Sequence, residues 1–391
     1  MPDATSSTGT VPLAEIAFMW FASRFALLIT GVLSSYLLAS GLSLQTGNLV
    51  FHEPTVRALE IWARWDEEWY LLIDAEGYDS SDHFESFAVQ YERAANAGFL
   101  PLYPLMIRTL APVFGGVGAG VLISNLALLG ALVLLYRLAA AEARPGAERA
   151  TGLAACAALL VYPSSLFLSA VYAESLFLLL SLATFAAARR GSFAAAGLTG
   201  GLAALTRPFG VMLVLPLLWE WWRAWRERRA AAWEAVSVLP ILLAMGAYML
   251  FCERLFGDPL VLLHRQARWR GGLSGPWQAF ARWWEAGPTA HGAHGSTFEL
   301  VVAVLAIALV PWMVRRLRPS YSLYTIAALL LALGSTLWSF SRLALTLFPY
   351  FILGGVAWGE GRRWLAPLYL VLATTLSGFL MALFANWWWA G

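Results

Sequence analysis

The chain has 391 residues, 60% of them hydrophobic and 13% charged, with a mean hydropathy of +0.65. Soluble globular domains carry about a quarter charged residues, so these values exclude a water-soluble fold and require lipid as solvent along much of the chain. All 26 basic residues are arginine, and the formal net charge of +2 hides an uneven distribution.

The first apolar run, Leu13 to Ser40, already contains Arg24 and is followed by no small-residue cleavage site, so it reads as an uncleaved membrane helix. The other spanning candidates are Val117 to Ala139, Ala150 to Ala170, Val171 to Ala188, Trp233 to Cys252, Phe298 to Val314, Tyr321 to Trp338, Leu343 to Trp358 and Leu365 to Asn386, nine in all. Between them, Phe193 to Trp222 is too long for one crossing. Arg207-Pro208 breaks it near the middle, because proline removes a backbone donor and disfavours helix in the residue before it. Counted as a hairpin of two short helices, this stretch brings the total to about eleven crossings.

Arginine placement favours the hairpin. The clusters Arg137, Arg144 and Arg149; Arg189 and Arg190; Arg223, Arg226, Arg228 and Arg229; Arg315, Arg316 and Arg318; and Arg362 and Arg363 then all fall on one side, as the positive-inside rule requires. The N-terminus is expected inside and the C-terminus outside. Trp219, Trp221, Trp222, Trp225, Trp312, Trp358 and Trp364 flank the same clusters, where indole rings mark the headgroup boundary. Cys156 and Cys252 lie in apolar runs and suggest neither a disulfide nor a metal cluster.

Two long connections face the outer side. The first, Gly41 to Asn96, has eleven acids against three arginines, a formal charge of −8; the second, about Glu253 to Thr297, has five arginines against three acids. All five histidines (His52, His83, His264, His291, His294) lie in these two loops, so chemistry is expected there.

The first loop contains Arg64-Trp65-Asp66-Glu67-Glu68-Trp69-Tyr70. A carboxylate between tryptophans sits where its solvation is controlled, and a neighbouring arginine can keep it ionised, which is the profile of a general base. The same spacing suits an amphipathic interfacial helix with Trp62, Trp65 and Trp69 toward lipid. Next, Phe99 to Val113 is too short to cross and carries two early prolines, which suits a re-entrant or interfacial segment or a simple connector. His291-Gly292-Ala293-His294 offers two imidazoles but no third ligand nearby, and reads as a glycine-bearing loop. Gly197 and Gly201 form a small-residue packing face.

Taken together, Arg64-Trp65-Asp66, Trp69-Tyr70, Gly77-Tyr78 and Phe99-Leu100-Pro101-Leu102-Tyr103-Pro104 resemble the first outer loop of the PIG-V-type mannosyltransferases. The resemblance continues in order through Tyr172-Ala173-Glu174-Ser175-Leu176-Phe177, Thr206-Arg207-Pro208-Phe209-Gly210, Gly257-Asp258-Pro259 with Gln266 and Trp269, and Ser341-Arg342 before Phe348-Pro349. It implies one all-α transmembrane domain of the GT-C glycosyltransferase fold spanning residues 1 to 391, with the catalytic acid in the outer loop 41 to 96 and a second outer loop at 253 to 297. It also implies transfer from a lipid-phosphate sugar on the outer face, with inversion, and the family's acid corresponds to Asp66. Glu67-Glu68 departs from the pattern, since relatives usually carry small residues there; these carboxylates can share a proton with Asp66 or recruit a divalent cation.

Such a transfer needs a base for the acceptor hydroxyl and cationic donors for the departing phosphate. Asp66 is the expected base. Arg207, His264, Arg268 and Arg342 are expected at the phosphate, with Arg265 and Arg270 as further candidates from the second loop, since the guanidinium fork donates two bonds at once. A loop arginine can equally contact a lipid headgroup. Arg64, Glu67, Trp69, Tyr103, Glu174, Gln266 and Trp269 are expected to shape the site or meet the acceptor, although Glu174 can also simply favour the start of its helix.

No metal and no cofactor are required. The expected partners are a polyprenyl-phosphate-sugar donor, a glycan, glycolipid or protein acceptor, and membrane lipids, with no nucleic acid. A lipid-linked sugar transporter would show ionisable residues at the bilayer midplane and an internal repeat, and a noncatalytic membrane subunit would not depend on Asp66. Arginine without lysine and an alanine-rich composition fit a bacterium of high genomic GC content, hence a cytoplasmic membrane protein with an outward-facing site.

Overall fold

A computed structural model of the chain describes residues 10–38, 56–78, 84–86, 89–91, 95–291, 294–361 and 365–391. His52, His83, Arg93, Arg362, Arg363 and Trp364 lie outside these residues, and the side chain of Trp269 is not described.

The architecture is all-α. In chain order the helices are α1 (Leu13–Leu37), α2 (Arg57–Glu60), α3 (Glu67–Ala75), α4 (Leu102–Phe114), α5 (Gly116–Ala140), α6 (Glu148–Leu160), α7 (Glu174–Arg189), α8 (Phe193–Ala204) and α9 (Val214–Arg226). They continue with α10 (Leu239–Phe256), α11 (Val261–Arg270), α12 (Gln278–Ala286), α13 (Thr297–Arg316), α14 (Pro319–Leu333), α15 (Phe340–Thr346), α16 (Pro349–Gly359) and α17 (Leu365–Ala385). One short antiparallel hairpin, β1 (Phe84–Ser86) with β2 (Val89–Tyr91), lies between α3 and α4.

Among the described residues, five helices are long and apolar enough to cross a bilayer by themselves: Leu13–Leu37, Gly116–Ala140, Ala232–Phe256, Thr297–Arg316 and Ala366–Ala385. A sixth span results if α15 and α16, bent by 68° where Pro349 opens the second, are taken together. The remaining expected crossings fall on shorter helices. Ala150 to Ala170 and Val171 to Ala188 are realised as α6 and α7, of 13 and 16 residues, separated by the non-helical stretch 161–173 with a 3-10 turn at Ser165–Leu168.

That break is possible because the stretch is enclosed by protein, where irregular backbone escapes lipid. Its freed carbonyls are taken by Arg24, buried on α1: Nη1 donates to Ser165 O at 2.7 Å and Nη2 to Leu160 O at 2.8 Å. The break at Arg207-Pro208 also occurs, with α8 ending at Ala204 and Pro208 opening a 3-10 turn before α9. Gly197 and Gly201 let α10 and the turn before it approach α8. A Cβ at Gly197 would collide with Ser237 O, and one at Gly201 would stand 2.8 Å from Pro240 O.

The segment 57–75 is not the single amphipathic helix that Trp62, Trp65 and Trp69 allow. Helix stops at Glu60 and restarts at Glu67, and Trp62 is buried in the core instead of facing lipid. Trp65 adopts φ +69°, a left-handed conformation that costs a non-glycine residue about 1–2 kcal/mol. It turns the chain so that Asp66 opens α3.

Candidate active site

Asp66 occupies the N-cap position of α3, yet its carboxylate does not cap the helix. Instead Oδ2 accepts from Arg342 Nη1 at 2.6 Å, while the Asp66 backbone N–H donates to Tyr172 Oη at 3.1 Å. The Tyr172 hydroxyl in turn donates to Arg64 O at 2.9 Å, so the buried 161–173 stretch grips the backbone on both sides of Trp65. Arg342 continues the charge chain: its Nε lies 3.5 Å from Glu174 Oε1, and that oxygen also accepts from Arg207. Two carboxylates and two guanidinium groups therefore alternate in the order Asp66, Arg342, Glu174, Arg207. The side chains of Arg342 and Glu174 are 9% and 1% exposed, whereas that of Asp66 is 25% exposed and open to the adjacent cavity.

This cavity has a volume of about 680 Å³ and is largely apolar. Asp66, Trp69, Glu174, Arg207, His264, Gln266 and Arg342 all line it, so the helices α3, α7, α11 and α15 and the break between α8 and α9 deliver seven of the expected residues to one space. Apolar walls with a few converging polar groups are typical of a ligand site. Gln266 Nε2 donates to Gly98 O at 3.1 Å, which ties α11 to the first loop. His264 sits at the rim, exposed, with Nδ1 2.7 Å from Asp258 Oδ2.

Four expected residues are elsewhere. Arg268, on the same helix as His264 and Gln266, is exposed and outside the cavity lining. Tyr103 is buried, its hydroxyl donating to Gly120 O at 3.0 Å beside Ser124 Oγ at 2.8 Å, and holds α4 on α5. Arg64 is buried behind the site, where its guanidinium meets Glu60, Ala385 O and the Trp387 ring. The arginine that meets Asp66 is thus Arg342, brought from 276 residues away, and not the neighbour in sequence. Glu67 is buried on the first turn of α3 and does not line the cavity.

Burial, and then the adjacent Glu68, push the Glu67 carboxyl well above its ordinary range, with Arg64 opposing. The folded chain therefore holds a proton that the unfolded chain releases, and the resulting stability is lost as pH rises from the ordinary glutamate value of about 4.3. Glu67→Gln should flatten that loss and leave activity within about threefold of wild type, because the neutral amide mimics the protonated acid. Thermal midpoints in detergent across the acid-to-neutral range check this; an unchanged pH profile would count against it.

Arg270 is the residue that sequence reasoning placed only among secondary candidates. It lines the cavity, and among the described residues no carboxylate is within ion-pair distance of it. Burial, followed by the nearby Arg342 and Arg207, lowers it to about 10, so it is still charged at neutral pH. Trp338 and Trp389 also line the cavity and carried no motif that marked them. The two described histidines of the 291–294 motif are engaged otherwise: His291 Nε2 donates to Trp389 O at 3.0 Å, and His294 Nδ1 lies 3.1 Å from Thr336 Oγ1. Among the described residues no three metal-ligating side chains gather.

The profile of the family described as Mannosyltransferase (PIG-V) matches residues 25–221, half of the chain. The chain belongs to this family. The PIG-V match covers Asp66, Glu174 and Arg207 and stops before Arg270 and Arg342. Comparison with curated proteins finds no match. Among solved structures the chain is similar to ArnT from Cupriavidus metallidurans bound to undecaprenyl phosphate, with 15% identity, a TM-score of 0.51, and coverage of 95% of this chain and 76% of that one. It also matches the apo oligosaccharyltransferase of Archaeoglobus fulgidus at 13% identity and a TM-score of 0.44, over 94% of this chain and 56% of that one. This PIG-V family member has the GT-C fold and is a membrane glycosyltransferase. The transporter and noncatalytic-subunit readings give way to the family membership.

Proposed function

We propose that the protein transfers mannose from a polyprenyl-phosphate donor to a hydroxyl group of a cell-envelope acceptor, with inversion. The observation that carries this reading is the partly exposed Asp66 carboxylate sharing one cavity with Arg207, Arg270 and Arg342. In the proposed step the acceptor O–H gives its proton to Asp66 as its oxygen bonds to the anomeric carbon. The bond from that carbon to the phosphate oxygen breaks, and its electron pair leaves with the lipid phosphate. Arg207 and Arg342 are each paired with a carboxylate, whereas Arg270 makes no ion pair among the described residues, so its charge is the least compensated one available to the phosphate. Glu174, 1% exposed, holds Arg342 and Arg207 beside the cavity.

Purified protein in lipid, supplied with radiolabelled polyprenyl-phosphate mannose and a membrane lipid extract, should move label into acceptor or water; absence of both would overturn the reading. Arg270→Gln should raise the donor KM about tenfold or more and change the acceptor KM little, because a charge-assisted contact to phosphate contributes about 1.5–3 kcal/mol. We further propose an outward-facing site, with the N-terminus inside and the C-terminus outside. A single cysteine at Ala230, among the arginine clusters, should then label only from the inner side, and labelling from outside would sink that orientation.

A further inference from the structure

Glu299 is the one acid in the apolar run Phe298 to Val314, and it lies buried on the first turn of α13, beyond the reach of the family match and of the motifs. A carboxylate enclosed at the end of a spanning helix is costly and needs partners. Its own helix does not call for it, because Ser296 is the cap, with Oγ accepting from Glu299 N–H at 3.3 Å. Among the described residues it makes no ion pair. Both oxygens go instead to one residue of another helix, Ser341 of α15. Oε2 accepts from the Ser341 backbone N–H, and Oε1 accepts from its hydroxyl at 2.9 Å.

That helix has seven residues and carries Arg342. Ser339 stands at its N-cap position with φ +60°, but its hydroxyl donates to Gly391 O at 2.7 Å and leaves the helix uncapped. The first N–H groups of a helix have no partner within it. Glu299 supplies one from outside, as a charge-assisted acceptor. The Ser341 hydroxyl also accepts from Ser164 Oγ at 2.8 Å, and Ser164 belongs to the 161–173 stretch that delivers Tyr172. Two arms leave this junction and meet again at Asp66: Ser341 leads to Arg342, which donates to Oδ2, and Ser164 leads to Tyr172, which accepts the backbone N–H. Ser164 and Ser341 are both fully buried, so no solvent stands ready to replace the carboxylate.

We propose that Glu299 is a positioning residue for the transfer: by holding Ser341 through both its N–H and its hydroxyl, it fixes the turn of α15 that aims Arg342 at Asp66. It does not line the cavity and acts only through Arg342. The inference rests on the transferase reading above, with Asp66 as the base. The test measures transfer from labelled polyprenyl-phosphate mannose by wild type, Glu299→Ala, Glu299→Gln and Asp66→Asn, in multiple and single turnover, and by Arg342→Lys with and without Glu299→Ala.

Glu299→Ala should lower kcat by about 10²-fold, the loss expected when a reacting group is misplaced by about 1 Å, with the donor KM unchanged. Glu299→Gln should recover kcat to within about fivefold of wild type, since its amide oxygen still accepts from Ser341 N–H and its amide N–H can donate to the hydroxyl. On the Arg342→Lys background, Glu299→Ala should cost less than about threefold, because the group it aims is gone; a merely structural residue would cost the same on both backgrounds. A wild-type kcat in Glu299→Ala, a loss confined to the donor KM, no recovery in Glu299→Gln, or equal losses on the two backgrounds would each overturn the proposal while leaving the transferase reading intact. Should Glu299→Ala not fold, Ser341→Ala takes its place: losing the hydroxyl contact should lower kcat about threefold or more, and a wild-type kcat would overturn the proposal. A wild-type rate in Asp66→Asn, or no label moved by wild type to acceptor or water, would instead be the failure of the transferase reading, and this inference would fall with it.

Discussion

Replacing Asp66 with asparagine should lower the rate of mannosyl transfer by about 10²–10⁴-fold, the range for losing a positioned general base, with little change in donor KM. Asparagine has the shape of aspartate and retains an oxygen that can accept from Arg342, so the local geometry should persist. Two other anchors do not involve the side chain: the Asp66 backbone N–H bonded to Tyr172 Oη, and the Tyr172 hydroxyl bonded to Arg64 O. What disappears is the ability to take a proton. Single-turnover transfer from labelled donor, measured on protein whose thermal midpoint matches wild type, separates chemistry from folding. A rate within threefold of wild type would remove Asp66 as the base and turn attention to Glu174, the other carboxylate lining the cavity.

The second large effect concerns Arg342. It bridges Asp66 and Glu174, and its guanidinium lies 5.3 Å from each of the Phe167 and Tyr172 ring centres. Removing one member of a buried ion pair leaves its partner charged and uncompensated, at a cost of about 3–5 kcal/mol. Arg342→Ala should therefore lower the thermal midpoint as well as abolish transfer, because Asp66 loses the group that aims it. Arg342→Lys should restore part of the stability and little of the activity, since one ammonium cannot reach both carboxylates as a planar fork does. If Arg342→Ala melts like wild type, the buried charge chain does not hold the site together.

Membrane class, the hairpin break at Arg207-Pro208 and the position of Asp66 were legible from residue type and local order. Apolar composition reports its solvent directly, proline acts on its immediate neighbours, and the ordered motifs from Arg64 to Pro349 marked the family. Arg24 appeared only as an arginine within an apolar run, although it closes the carbonyls that make the 161–173 break tolerable. Helix lengths were overestimated there because hydropathy cannot distinguish a continuous span from irregular backbone enclosed by other helices.

The pairing of charges was beyond any local reading. Arg64 stands two residues before Asp66 yet faces the tail, and Arg342 reaches it from 276 residues away, because the left-handed turn at Trp65 sends the two side chains in different directions. Arg270 gained meaning only when α11 was brought to the cavity that Asp66 and Arg342 line. The sequence by itself determined a lipid-solvated all-α chain of a recognisable family, since those properties are carried by composition and short motifs. Which cation holds Asp66, and which lines the cavity without an ion pair among the described residues, were decided by tertiary structure, because electrostatic contacts depend on distance in space and not along the chain.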